Sequence, residues 1–139
     1  MFVSGLRGLA AALLVALVTA ASPTPADELA DFQAAVERAA GEYRLALRTL
    51  ETRGQDETAA AVHRLRAAWQ AIGERFGANR PAAFADDENF AGMFMQIDVG
   101  LVGVLLIIDL GNRDGARAAL APIGETLARL AARSAPSPR

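Results

Sequence analysis

Residues 90–111, FAGMFMQIDVGLVGVLLIIDLG, decide the fold of this chain, because a run this apolar must be covered by something. A membrane is a poor covering, since Asp98 and Asp109 interrupt the run and an ionised carboxylate near a bilayer centre costs about 3 kcal/mol. The uninterrupted apolar part, residues 99–108, is ten residues long, whereas a spanning helix needs about 20. We therefore predict a helix buried against protein, with no membrane span in the mature chain.

The two faces of this predicted helix carry different side chains. At about 100° per residue, one face collects the residues that a bundle core requires: Phe90, Phe94, Ile97, Leu101, Val104, Leu105 and Ile108. The opposite face is small or apolar where the back of a solvated helix carries charge, and it consists of Gly92, Gln96, Val99, Gly100, Gly103 and Ile107. These six residues form a candidate interface. Three coverings remain open: the flanking helices of the same bundle, a second subunit, or a ligand held against the glycines.

Two helices are predicted before this one from their end signals. The sequence Thr24-Pro25-Ala26-Asp27 is typical of a capping box with proline in the first turn, and Gly54 is expected to be a left-handed terminating residue. These signals predict a first helix over residues 25–53. Asp56 is the expected cap of a second helix, which ends at Gly77.

The third and fourth helices have signals of their own. The run Asp86-Asp87-Glu88-Asn89 places caps and negative charge before the third helix, after a loop over residues 78–85. Gly111 ends that helix, Asn112 opens the fourth, and Pro122 is expected to bend the fourth helix or delay its regular start. Four helices of about 20 residues with short connections predict an all-α, antiparallel up-down-up-down four-helix bundle.

The ends of the chain differ in character from the bundle. Residues 1–21 have the charged, apolar and cleavable order of a secretory signal peptide, and their apolar block, residues 9–18, is shorter than the roughly 20 residues of an anchor. Cleavage is expected after Ala20 or Ala21, which predicts a periplasmic protein. Residues 22–133 form the predicted bundle domain, and residues 134–139 are expected to be a flexible C-terminal tail.

Composition excludes several classes of function. The 139-residue chain has no cysteine, so disulfides, thiolate metal sites and covalent attachment of c-type haem are excluded. Its formal net charge of −2 is spread over both signs, without the basic surface that nucleic-acid binding requires. We predict no nucleic-acid partner.

Few side chains are candidates for chemistry. His63 is the only histidine, and a metal site requires three or four converging ligands, so an exposed or boundary histidine is the better interpretation. Met93 and Met95 lie about 200° apart on a helix and cannot share one copper ion. Asp98 is expected near Arg66, where the two would form an ion pair. We predict no catalytic, cofactor-binding or metal-binding residue and no enzymatic activity.

The order of the last two helices resembles that of a known superfamily. Residues 93–130, MFMQIDVGLVGVLLIIDLGNRDGARAALAPIGETLARL, form a long third helix, a short Gly-Asn turn and a fourth helix. In an exported chain of this length they resemble the cytochrome c-prime and soluble cytochrome b-type four-helix bundles, in layout and over most of the mature chain. The resemblance implies a bundle fold and a periplasmic location. Those families hold haem through a histidine on the last helix, where this sequence has none.

Two hypotheses of function follow from the sequence. The first is a non-enzymatic exported bundle that binds a partner, either another copy of itself or another periplasmic protein, through the candidate interface of the third helix. The second is a periplasmic ligand-, metal- or haem-binding bundle related to the four-helix cytochromes, with Trp69, Phe90 and Phe94 as pocket walls.

Overall fold

The computed structural model describes residues 22–136 of the chain. Its four α-helices are α1 (Pro25–Thr52), α2 (Gln55–Phe76), α3 (Phe90–Asp109) and α4 (Arg113–Ser134), with a short 3-10 helix, Ala82–Phe84, between α2 and α3. The described residues contain no strand, and the predicted all-α class is confirmed. The predicted signal peptide and the last three residues of the predicted tail lie outside the described residues.

The start of α1 follows the predicted capping box. The Asp27 backbone N–H donates to the Thr24 hydroxyl at 3.2 Å, and the Thr24 N–H donates to the Asp27 carboxylate at 3.2 Å. Pro25 occupies the first turn, where its missing N–H costs nothing. The local sequence therefore sets this boundary without help from the rest of the fold.

The predictions for the turn between α1 and α2 were wrong. Gly54 has φ −77° and extended backbone instead of the left-handed conformation, and α2 begins at Gln55 instead of after an Asp56 cap. Gly54 is itself the N-cap residue, and its carbonyl accepts the Thr58 N–H at 3.1 Å and the Thr58 hydroxyl at 2.9 Å. Asp56 thus lies within the first turn, where its charge favours the helix dipole.

The helix ends around α3 and α4 agree only in part with the sequence signals. Gly111 has φ +74° and ends α3, and the Asn112 side chain accepts the Gly115 N–H at 2.8 Å, as predicted for a terminator and a cap. Asn89, however, makes no side-chain cap bond to α3, and its own N–H donates to Asp87 at 3.0 Å. Pro122 lies inside a continuous α4 that starts at Arg113, so it does not delay the start of the helix.

The helices pack in a closed ring of neighbours. α1 contacts α2 and α4, and α3 contacts the same two helices, so α1 and α3 are diagonal. Near the short 3-10 helix the core is aromatic: the Phe32 ring lies 5.1 Å from the Phe76 and Phe84 rings and 6.0 Å from the Phe90 ring, between centroids. Such contacts add to the stabilisation that burial itself provides.

A second part of the bundle is held by two polar side chains. The Arg113 guanidinium donates to the Leu50 carbonyl at 2.8 Å and to the Arg53 carbonyl at 2.6 Å. The Gln55 side chain donates to the carbonyls of Ile108 and, at 2.9 Å, Asp109. The last carbonyls of a helix lack the N–H donors of a following turn. Arg113 of α4 supplies donors at the end of α1, and Gln55 of α2 adds to the Gly111 N–H, which donates to the Ile108 carbonyl at 2.9 Å.

Candidate interaction surface on the third helix

The core-facing side of α3 is largely the one that the sequence predicts. Phe90, Ile97, Leu101, Val104 and Ile108 are buried. Phe94 and Leu105 are partly buried and pack against that core. One side of the most apolar helix is thus fully used by the bundle.

The other side of α3 exposes large apolar side chains to solvent. The exposed fractions are 74% for Met95, 64% for Val99, 37% for Val102, 63% for Leu106 and 81% for Leu110. Their spacing of three or four residues places them in one line, about 22 Å long at 1.5 Å per residue. We call these five residues the α3 outer stripe.

The apolar character of α3 exceeds what its core role requires. The helix has the length and composition of a membrane span, with a mean hydropathy of 2.1, yet only 22% of that segment is buried inside the protein. A core helix of a soluble protein can be equally apolar, but its apolar residues are then mostly buried. The bundle core therefore does not use the outer stripe, and these apolar side chains are available to contact another molecule.

The six residues of the predicted interface are divided between two environments. Gly92, Gln96 and Val99 are exposed, whereas Gly100, Gly103 and Ile107 are half-buried. A Cβ on Gly100 would lie 3.9 Å from Ile123 of α4, and Ile107 packs against the core. A Cβ on Gly92 or Gly103 would meet nothing within 4 Å, so both glycines leave open hollows on the exposed side.

Sequence reasoning missed most of the outer stripe. The sequence patterns indicate Met95 only as a candidate metal ligand and place Val102, Leu106 and Leu110 on neither face. The centre of the outer stripe lies about 70° around the helix from the centre of the predicted six, at 100° per residue. The missed signal is the spacing of three or four residues between successive members of the stripe. This spacing places them on the exposed face of α3, on the side nearer to α2.

The Asp98 carboxylate, on the α2 side of α3, is paired within the bundle. The Arg66 guanidinium donates to Asp98 at 2.8 Å and 3.1 Å, and the Gln70 amide donates to the same carboxylate at 3.1 Å. The hydrogen bond from Arg66 is the main reason why the pKa of Asp98 is lowered, and the same bond raises the pKa of Arg66. The predicted ion pair is confirmed, and no unmatched charge from Asp98 borders the stripe.

The candidate metal-binding side chains do not converge. His63 is exposed beside a depression of about 220 Å³ that Asp56 and Asp109 also line. In the part of the chain that the structure describes, no group of three or more histidine, cysteine, aspartate or glutamate side chains could hold a metal ion. Met93 packs against the core while Met95 is exposed, so the two thioethers lie in different environments.

The aromatic side chains considered as pocket walls pack against one another. The Trp69 ring lies 5.0 Å from the Phe94 ring, which lies 5.2 Å from the Phe90 ring, between centroids. The Trp69 indole N–H donates to the Phe94 carbonyl at 3.0 Å. These rings fill the space between α2 and α3 instead of lining an opening between them.

Comparisons with known proteins add no family to this description. No protein-family model matches the chain, no curated protein matches it, and no solved structure matches it. The packing of four helices is compatible with a helical-bundle layout.

Proposed function

We propose that this chain is a non-enzymatic, exported helical-bundle protein that acts by binding a second copy of itself through the α3 outer stripe. The observation that carries the proposal is the exposure of five large apolar side chains in one line on α3. The largest contiguous apolar patch on a soluble monomer, about 300–600 Å², is often a functional site. Burial of such a patch stabilises association by about 25 cal/mol per Å². The signal-peptide pattern in the sequence supports the periplasm as the location.

The occupant that suits this surface best is an identical surface. A two-fold interface must be complementary to itself, so the same patch has to supply both protrusions and hollows. The outer stripe supplies Val99 and Leu106 as protrusions, and Gly103 between them leaves a hollow that no side chain fills. Because Asp98 is already paired with Arg66, that carboxylate offers no charge for a partner to neutralise.

The size of α3 sets the expected strength of association. A 20-residue helix presents a face of about 30 Å by 10 Å, which is well below the roughly 800 Å² that each partner buries in a standard interface. Side chains of α2 and α4 beside the stripe must therefore contribute. We expect a dimer that dissociates in the micromolar range instead of an obligate one.

We also infer that the four helices run up-down-up-down. Three contacts support this order, because each joins the start of one helix to the end of another: Gln55 with the last carbonyls of α3, Arg113 with those of α1, and Phe32 with Phe76. Such an order is what short connections favour. It is also the layout on which the resemblance to the cytochrome c-prime and cytochrome b-type bundles rests.

Sedimentation equilibrium of residues 22–139 over a wide concentration range tests the self-association. We expect a monomer–dimer equilibrium that Leu106→Glu abolishes, because the exposed leucine contributes to the interface but not to the core. Ala34→Glu is the matched control, since Ala34 is exposed on α1, diagonal to α3. A wild-type protein that remains monomeric at millimolar concentration, or a Leu106→Glu variant that still dimerises like wild type, would overturn the proposal.

The competing function is a ligand-, metal- or haem-binding bundle related to the four-helix cytochromes, and only the four-helix layout favours it. The families it resembles use a histidine on the last helix, and α4 contains none. Native mass spectrometry of protein purified from periplasm distinguishes the two functions. A dimer without added mass supports self-association, whereas a monomer with a retained metal or haem-sized mass that is lost in His63→Ala supports the alternative.

A further inference from the structure

A groove of about 720 Å³ runs between α3 and α4, beside the outer stripe but distinct from it. The half-buried Met93 of α3 and the exposed Pro122 of α4 form its apolar walls, and the buried side chains of Ile97 and Leu130 form its floor. Gly92 also borders the groove, and a Cβ there would meet nothing within 4 Å, so the backbone of α3 leaves this side open. The volume is within the range of small-molecule sites, roughly 300–1,000 Å³.

Four charged side chains line the groove, and two of them neutralise each other. Three contacts within the protein occupy the Arg133 guanidinium. It pairs with Asp87 at 2.9 Å, donates to the Ala83 carbonyl at 3.2 Å and lies 4.5 Å over the Phe84 ring. Glu125 and Arg129 remain. Neither forms an ion pair with another side chain among residues 22–136.

The guanidinium of Arg129 is oriented by a buried neighbour. It donates to the Thr126 hydroxyl at 3.2 Å, and that hydroxyl donates to the Pro122 carbonyl at 3.1 Å. Thr126 is only 6% exposed, so its position is fixed by packing. The remaining N–H groups of Arg129 are free for a ligand, and a guanidinium presents them in a planar fork that matches a carboxylate.

We propose that this groove binds a small amphipathic molecule with a single carboxylate. The carboxylate would accept hydrogen bonds from Arg129, and the apolar chain would lie against Met93 and Pro122, over a floor formed by Ile97 and Leu130. Glu125 lies one helical turn before Arg129, and its negative charge opposes a second anionic group in the ligand. This inference does not depend on self-association through the outer stripe.

Isothermal titration calorimetry with decanoate below its micellar concentration tests the site, with decanol as the uncharged probe of the same chain length. We expect saturable binding of decanoate, weaker binding of decanol, and a loss of about tenfold or more in decanoate affinity for Arg129→Ala, because a hydrogen bond to a charged group is removed. Arg38→Ala is the matched control, since Arg38 is an exposed arginine on α1, and it should bind as wild type.

A second variant tests the charge argument in the opposite direction. Glu125→Gln removes the negative charge next to Arg129 and is expected to tighten decanoate binding severalfold while leaving decanol unaffected. Circular dichroism of each variant verifies that the bundle is intact. Absence of decanoate binding would overturn the proposal. Equal affinities in wild type and Arg129→Ala would do so as well, because the molecule would then be held by an apolar surface such as the outer stripe.

Discussion

The ring of Tyr43 on α1 occupies the position that a side chain at Gly124 on α4 would need. A Cβ added at Gly124 would lie 2.5 Å from the Tyr43 Cζ and 2.8 Å from its Cε1, which is closer than real side chains approach. Burial raises the pKa of the Tyr43 hydroxyl, and the nearby Glu125 carboxylate adds to this rise. The tyrosine therefore lies between α1 and α4, and glycine is required where the two helices meet at this level.

We predict that Gly124→Ala destabilises the protein by about 1–2 kcal/mol, because the cost of displacing the ring exceeds the helix propensity gained by replacing glycine. Urea denaturation at neutral pH measures the free energy of unfolding. Gly41→Ala is the control in α1, where the nearest atom to the new Cβ is the end of Arg44 at 3.9 Å, and it should stabilise by up to about 1 kcal/mol. In a Tyr43→Leu background the penalty of Gly124→Ala should shrink, and an unchanged penalty would show that the ring is not its cause.

Arg113 is predicted to contribute to stability through its contacts with α1 and not through its charge. Arg113→Ala leaves the Leu50 and Arg53 carbonyls without these donors, and we expect a loss of about 1–3 kcal/mol in the free energy of unfolding. Arg48 is an exposed arginine of α1, two residues before Leu50. Arg48→Ala should change the free energy of unfolding by less than about 0.5 kcal/mol. Thermal unfolding followed by circular dichroism compares the two, and equal effects would contradict the capping role.

The ion pair between Arg66 and Asp98 predicts a specific pH dependence. Its hydrogen bond lowers the pKa of Asp98 below the ordinary value of 3.8, so the stability that the pair provides is complete above that value and is lost as pH falls through the lowered pKa. Both side chains are partly exposed, at 30% and 28%, so solvent screening keeps this contribution to stability small. The difference in stability between wild type and Asp98→Asn should be constant from pH 7 to 5 and vanish in acid. A stability difference between wild type and Asp98→Asn that grows in acid would contradict this role of the ion pair.

Sequence patterns predicted features that are set within a few residues. The capping box of Thr24 and Asp27 and the left-handed Gly111 are features of this kind. The ion pair of Arg66 and Asp98 spans two helices, and it was predicted by counting back from the loop that joins them. The cap of α2 was predicted wrongly, because both Gly54 and Asp56 suit a helix start and only the path of the chain out of α1 decides between them.

The position of the exposed apolar line on α3 could not be read from the sequence for a different reason. Its hydropathy is nearly uniform around the helix, so core and outer faces differ little in composition. Which side is covered depends on where α2 and α4 pack, for example on the contact that Gly100 makes with Ile123. The six residues of the candidate interface and the outer stripe both lie on α3 and share Val99, but their centres are about 70° apart around the helix.

Met95 provides a chemical test of whether the outer stripe is covered in solution. Its side chain is 74% exposed in the single chain, so hydrogen peroxide should oxidise it rapidly to the sulfoxide when the protein is dilute. If a second copy covers the stripe, the rate of Met95 oxidation should fall several-fold as protein concentration passes through the dissociation constant.

Met93 is the internal reference for this experiment, because it packs against the core of its own chain and its rate should not depend on concentration. Tandem mass spectrometry of the peptide that contains both methionines separates the two rates. In Leu106→Glu the protection of Met95 should disappear while the rate at Met93 stays unchanged. Oxidation of Met95 that is equally fast at all concentrations would exclude a second copy as the covering, and protection that appears only with neutral lipid vesicles would assign the stripe to a membrane surface.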